Sequence, residues 1–198
     1  MECNSCSNGM TQVYGQLHFY CQSCDSFEFT PESLAIEPIE SLEKKTPFAC
    51  PRCQHELGVG LLAEHTQICF CERCRGFVID SRSLGSLVKH LRDHYEGPDD
   101  KPTPIDPSEM DRREYCPACK EMMDAHPYYG PGSVVIDTCM HCQLVWLDHG
   151  ELGRIIRAPG VRNKTKSGNL ESKKLRAELN NRFYDKSNPA YIRRRFGL

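Results

Sequence analysis

Apolar residues recur in one arrangement three times along the chain. Phe27 and Phe29 lead to Thr30 and Leu34, Phe77 and Ile79 to Asp80 and Leu84, and Val145 and Leu147 to Asp148 and Leu152. Alternation over so short a run describes a strand with one buried face. Thr30, Asp80 and Asp148 then stand where a helix N-cap belongs, each with an oxygen that can accept from a free N–H of the first turn. Pro31 suits the first helical position, and Asp148 with Glu151 spells a capping box. The predicted unit is a hairpin, a strand and a short helix, with Leu34, Leu84 or Leu152 covering a core too small to close alone. The second helix is expected to reach His94, because Leu84, Leu87, Val88 and Leu91 share a face.

The cysteines turn this repeat into chemistry. Of 13 cysteines in 198 residues, twelve fall into C-x-x-C pairs: Cys3/Cys6, Cys21/Cys24, Cys50/Cys53, Cys71/Cys74, Cys116/Cys119 and Cys139/Cys142. Taken consecutively they form three C-x2-C…C-x2-C sets, the pattern in which each pair grips a tetrahedral zinc ion from one tight turn. Met10, Leu57 and Met123 each lie four positions after a first pair, so the repeat extends beyond the metal ligands. A disulfide framework is the competing reading. The opening Met-Glu-Cys-Asn-Ser-Cys has neither the basic start nor the apolar stretch of a secretory signal, and no run is long enough to span a membrane. A cytoplasmic chain with reduced thiols and three structural Zn2+ ions is therefore expected. Only 39% of residues are hydrophobic, and units of about 40 residues with so little core depend on a metal.

The residues carry a family resemblance. Cys116-Pro-Ala-Cys119, Ile136-Asp-Thr-Cys139-Met-His-Cys142 and Val145-Trp-Leu-Asp-His-Gly-Glu-Leu152 together resemble the transcription-factor-IIB-type zinc ribbon family, with its paired cysteines and W-L-D-x-G-E-L tail. The likeness is closest over 116–152. Residues 50–84 keep the metal pattern and the Asp cap but place Val78 where Trp146 stands and Ser83 where Glu151 stands. Residues 3–34 keep little beyond cysteines, apolar positions and a Thr cap. The resemblance implies zinc and a ribbon fold, and says little about activity.

The fold class expected is small and metal-dominated: three tandem zinc ribbons, each a short antiparallel β hairpin followed by a short helix, plus a basic, partly helical C-terminal tail. The divisions are ribbon one at 1–36, a linker at 37–49, ribbon two at 50–94, an acidic Pro-rich linker at 95–115, ribbon three at 116–157 and the tail at 158–198. The second linker holds four prolines and six acids in 95–111, which predicts an extended, mobile segment leaving ribbon three free to move.

Charge separates the body from the tail. Residues 1–158 carry 14 Lys and Arg against 24 Asp and Glu, and 159–198 carry 11 against 3. Each Zn(Cys)4 centre adds about -2 to the body. The tail offers a helix with Asn169 as cap and Leu175, Leu179 and Phe183 on one face. It ends in Tyr191, Arg193, Arg194, Arg195 and Phe196, a set suited to gripping phosphates and stacking on bases. It either folds back on the acidic body or engages an acidic partner.

Four thiolates close zinc's shell, leaving no position for water or substrate, so no catalytic residue is expected and zinc serves folding. The leading expectation is a non-catalytic adaptor with a protein partner, nucleic acid reached only through the tail, no membrane and no small-molecule substrate. Direct nucleic-acid binding by the ribbons and a thiol redox enzyme are the rivals. Tyr128 and Tyr129, on a turn, either anchor a partner or pack their own hairpin. His90 and His94 are spaced for a metal but lack a third ligand, and His141 sits inside a cysteine pair already complete. Cys69 is the odd thiol, aligned with Asp137 of the third unit, and is either reactive or inert core.

Overall fold

The computed structural model of the chain describes residues 1–13, 18–63, 66–101 and 103–160. The expected tail helix and the cluster of Tyr191, Arg193, Arg194, Arg195 and Phe196 lie outside the described residues. Ribbon one is a three-stranded antiparallel sheet, β1 (Thr11–Gln12), β2 (His18–Tyr20) and β3 (Phe27–Phe29) in that order. Thr30 starts α1 (Pro31–Ile36) by accepting from the Ser33 N–H at 3.1 Å. Cys3 and Cys21 are the only apolar side chains of this ribbon that are buried among the described residues. Leu34, expected over the core, is exposed, and Ser33 takes the buried position instead. Ribbon one thus has almost no apolar core of its own.

The segment 37–49, expected to be a linker, is strand β4 (Ile39–Ala49). Its polar composition misleads because it is an edge strand, where one side faces water and charges such as Glu40, Lys44 and Lys45 block further pairing. It is followed by β5 (Glu56–Leu62), β6 (Thr66–Phe70), β7 (Phe77–Asp80) and α2 (Ser81–His94). Asp80 caps α2 by accepting from the N–H groups of Arg82 and Ser83. After the four-residue α3 (Pro107–Met110) come β8 (Asp124–Pro127), β9 (Val135–Cys139), β10 (Leu144–Leu147) and α4 (Glu151–Arg157).

Ribbons two and three share one seven-stranded sheet, ordered β4-β5-β6-β7-β10-β9-β8. The joint is the antiparallel pair β7–β10, with Phe77 opposite Leu147, Val78 opposite Trp146 and Ile79 opposite Val145. Position for position in the repeat, Phe77 corresponds to Val145 and Ile79 to Leu147, so this register is its own mirror under a two-fold rotation. The pseudo-axis passes through Val78 and Trp146, an isologous contact made within one chain. That pairing also explains a departure in the repeat, because two tryptophans opposite each other would crowd the axis. Trp146 already lies so close to Gly76 that a Cβ there would clash with the indole.

One face of the sheet, with α2 and α4 over it, encloses a single core that includes Phe70, Phe77, Ile79, Leu84, Leu87, Val145, Leu147, Leu152 and Ile155. Neither ribbon closes a core by itself, and doubling the unit solves the problem. The freedom of ribbon three expected from the Pro-rich linker is therefore overturned: its strand is hydrogen-bonded to ribbon two. The linker itself is anchored. Asp106 caps α3 by accepting from the Ser108 N–H at 2.9 Å, and Arg112 pairs with Asp148 and lies 3.6 Å from Asp137.

Helix α4 is too short to hold itself together, and both ends are completed by the other ribbons. At its N-terminus the fully buried Glu37 accepts from the N–H groups of Gly150 and Gly153, each at 2.9 Å. At its C-terminus Arg92 of α2 donates to the carbonyls of Ile155 at 2.6 Å and Ala158 at 2.9 Å. Anion at the amino end and cation at the carboxyl end complement the helix dipole. Asp148, expected as the cap, does not serve: its carboxylate takes the Trp146 indole N–H at 3.0 Å and the Arg112 guanidinium. Half of the capping box survives, since Glu151 Oε2 accepts from the Asp148 N–H at 2.8 Å.

Candidate metal centres

Each centre is built from two tight turns, and all six turns share one backbone feature. The residue after the second cysteine of every pair has a positive φ: Ser7, Asp25, Gln54, Arg75, Lys120 and Gln143, between 55° and 64°. None is glycine, so the usual sequence signal for this conformation is missing. In five turns the N–H of that residue returns to the first cysteine's carbonyl, as from Gln54 to Cys50 at 3.0 Å and from Lys120 to Cys116 at 2.9 Å. This curl aims both sulfurs at one point. A β-branched residue is strained there. Lys120→Val on the exposed third-ribbon turn is expected to cost about 1–2 kcal/mol, and Lys120→Gly to cost nothing. Urea midpoints of the zinc-loaded variants measure both.

The turns bring together Cys3, Cys6, Cys21 and Cys24; Cys50, Cys53, Cys71 and Cys74; and Cys116, Cys119, Cys139 and Cys142, with the four sulfurs of each set within 4.8 Å of one another. All are free thiols. Sulfurs from opposite turns approach to 3.5 Å for Cys50 and Cys74, 3.4 Å for Cys53 and Cys71, and 3.6 Å for Cys119 and Cys139. A tetrahedron with Zn–S bonds of about 2.3 Å has edges of about 3.8 Å, whereas a disulfide is about 2.0 Å. The spacing and the all-sulfur donor set fit three structural zinc ions. In the second tetrad, hydrogen bonding among the sulfurs themselves pushes Cys53 down and Cys50 and Cys74 up. Zn2+ supplies the charge that lets all four ionise together.

The centres differ in their surroundings. The first is distinguished by Ser26, whose hydroxyl lies 3.1 Å from both Cys3 Sγ and Cys24 Sγ. Gly76 and Leu144 occupy the matching positions of the other two ribbons and cannot do this. Beside the third centre lies an ion cluster that the spacing of the sequence did not announce. Arg112 reaches Asp148, Asp137 at 3.6 Å and Glu151 at 4.0 Å. Burial pushes Asp137 up to about 7 and raises Glu151 well above the usual carboxylate range. Burial acts on Asp148 in the same sense, but Arg112 and Arg52 beside it hold it below the ordinary value.

Ribbon one docks on ribbon three through a buried histidine. His149 touches Ser33 Oγ through Nε2, lies 3.3 Å from Glu37 through Nδ1, and meets the rings of Phe29 at 4.7 Å and His18 at 5.4 Å. From ribbon two, Arg73 donates to the carbonyls of Cys24 at 3.2 Å and Asp25 at 2.8 Å. Burial, with the neighbouring His149, depresses His18 from 6.5 to about 4. An unfolded ribbon one takes up this proton below about 6.5 and the folded one does not until about 4, so stability present at neutral pH is lost on acidification. Between pH 7 and 5 the loss amounts to up to about 2 kcal/mol. His18→Phe is expected to show a smaller drop in ribbon-one stability over that interval than the parent, as measured by urea titration at both pH values.

The remaining candidates separate cleanly. Cys69 is buried in β6 opposite Val59 and Val78, and desolvation pushes its thiol up to about 12, so it is inert core. His90 and His94 have rings 4.4 Å apart, with His94 Nδ1 bonded to the His90 carbonyl. Among the described residues, only the three cysteine sets bring three or more metal-binding side chains together. His141 is exposed on its turn. The tyrosines divide: Tyr128 is half-buried against the shared core, while Tyr129 is 90% exposed and stacks on His126 at 5.4 Å.

Comparison with known proteins agrees with this geometry where it speaks. Residues 115–158 match the model of a family described as a transcription factor zinc-finger, the TFIIB-type zinc ribbon. No curated protein and no solved structure matches the chain. Among the described residues no helix is long and apolar enough to cross a membrane.

Proposed function

We propose, taking residues 115–158 as a TFIIB-type zinc ribbon, that the chain is a non-catalytic adaptor. Ribbon three presents the protein-binding surface, and the basic tail engages an acidic partner such as nucleic acid or a transcription or translation assembly. One observation carries this reading. Tyr115, Met122, Tyr129 and Met140 are 57%, 55%, 90% and 67% exposed, and all four project from ribbon three. Tyr115 and Met122 are bridge partners beside the third metal centre, and Met140 lies inside its second turn. Exposed large apolar side chains gathered on one module mark an interaction site more than a solvated face. Residues 121–140 contain no Lys or Arg, which favours protein over phosphate there. Closed thiolate shells leave zinc no catalytic position.

Affinity capture with three forms tests the proposal: the intact chain, the chain ending at Pro159, and a Met122→Glu/Met140→Glu variant. The double variant is expected to lose its protein partner, and the truncated chain to lose salt-dependent nucleic-acid binding. Nucleic-acid binding retained after truncation would overturn the adaptor reading in favour of direct recognition by the ribbons.

A further inference from the structure

We propose that the cleft where the three ribbons meet is a receptor for a basic side chain, an arginine or lysine presented by a partner polypeptide. The inference rests on the interaction-protein reading above but concerns a different surface. The cleft encloses about 330 Å³, which is room for one long side chain and not for a folded element. Ribbon one contributes an aromatic wall of His18, Tyr20 and Phe27, and the connecting segment and ribbon three contribute Asp106, Glu109 and Asp148. A buried Glu151 completes the acidic side.

Two cations also line it, and both are held by carboxylates. Arg52 lies 3.5 Å from Glu114, and Arg112 is held among Asp148, Asp137 and Glu151. Two of the Arg112 nitrogens, Nε and Nη2, make no hydrogen bond, but Nη2 lies within 4.0 Å of both Asp137 and Glu151. Burial favours the protonated form of Glu151, so Asp106, Glu109 and Asp148 face two guanidiniums, one of them already paired with Glu114, and the lining stays acidic. Cys74 belongs to the second tetrad, which with Zn2+ bound adds about -2 beside it.

An acidic lining alone would not specify a ligand. The second observation is His18, which is only 4% exposed and whose Nδ1 has no hydrogen-bond partner. Burial keeps this ring neutral, so it can accept an N–H. Glu109 Oε2 is likewise buried without a partner. Tyr20 and Phe27, with ring centres 5.1 Å apart, add π faces that attract a cation. Unspent acceptors, net negative charge and aromatic faces converge on a group that brings positive charge and several N–H donors. An apolar ligand would leave His18 and Glu109 unsatisfied, and an anion would face the carboxylates.

Titrating the 15N-labelled, zinc-loaded chain with Nα-acetyl-arginine amide, and separately with Nα-acetyl-glutamate amide, tests the assignment. The arginine probe is expected to give saturable shifts at His18, Tyr20 and Glu109, weakened by salt. Glu109→Gln and His18→Phe should each weaken binding about five- to tenfold, with three zincs retained and the Trp146 emission unchanged. Binding of the glutamate probe in preference, shifts confined to other surfaces, no saturable shift, or an affinity unchanged in both variants would each overturn it. The Met122→Glu/Met140→Glu variant should bind the arginine probe like the parent, so failure of the adaptor reading and failure of this one are separable.

Discussion

Cys21→Ser is expected to release ribbon one alone, while Cys71→Ser unfolds ribbons two and three together. Zinc binding supplies about 10–16 kcal/mol to isolated zinc modules near neutral pH. In ribbon one no apolar side chain besides Cys3 and Cys21 is buried among the described residues, so among them little apolar burial offsets its loss. The attachment of ribbon one to the rest is local, through Ser33, Glu37, the Arg73 contacts and the rings of Phe29 and His18 against His149. The chain should then bind two zincs and lose the ribbon-one signals from its 15N–1H spectrum, with changes elsewhere confined to the docking contacts at His149, Gly150 and Gly153. Trp146, the sole tryptophan, lies in β10 and should keep its buried emission.

Loss of the second centre behaves differently. Cys71 and Cys74 set the turn that feeds β7, and β7 pairs with β10 along its whole length. Phe77, Ile79, Leu84 and Leu87 fill one half of a core whose other half is Val145, Leu147, Leu152 and Ile155. Releasing β7 uncovers both halves, so zinc content should fall by more than one ion and Trp146 emission should shift to that of a solvated indole. If Cys21→Ser moves the tryptophan emission, or if Cys71→Ser leaves it buried, the division into a two-ribbon body and a docked first ribbon is wrong.

That division could not be read from the sequence, although most of its parts could. The cysteine pairs, the alternating apolar positions and the Thr30 and Asp80 caps are local signals, and local signals fix turns, strands and helix starts. What the repeat hides is how its copies use one another. Val78 in place of Trp146 looks like decay of the motif when the copies are aligned, and becomes a packing requirement once the two residues face each other across the pseudo-axis. Asp137 and Cys69 occupy equivalent positions, but only Asp137 meets a guanidinium, because Arg112 comes from a segment outside the repeat. The same segment reads as mobile by composition, since its prolines and acids report solvation but not the buried ion cluster that anchors it. Helix α4 shows the limit most directly. Its own residues suggest a cap at Asp148, while the groups that complete it, Glu37 and Arg92, lie far away in sequence and have no local signature.

Glu37 therefore carries the other large effect expected from a single substitution. Its side chain is fully buried and holds three contacts at once: the N–H groups of Gly150 and Gly153 and the His149 ring at 3.3 Å. Glu37→Ala leaves two backbone donors of α4 without an acceptor inside the interface, and it removes the acid beside His149. An unsatisfied buried donor costs about 1–3 kcal/mol, so a loss of about 3 kcal/mol or more is expected, larger than for an ordinary exposed cap. Glu37→Gln should recover part of it, because an amide oxygen can still accept one N–H while the charge opposed to the helix dipole is lost. Zinc content should remain three in both variants, since Glu37 belongs to none of the three ligand sets. Hydrogen exchange at the Gly150 and Gly153 amides separates this account from general destabilisation. Those two amides should lose protection first and most in Glu37→Ala, before the amides of β7 and β10. If protection falls evenly across the shared sheet instead, Glu37 is a general core residue and α4 holds its first turn without help from ribbon one.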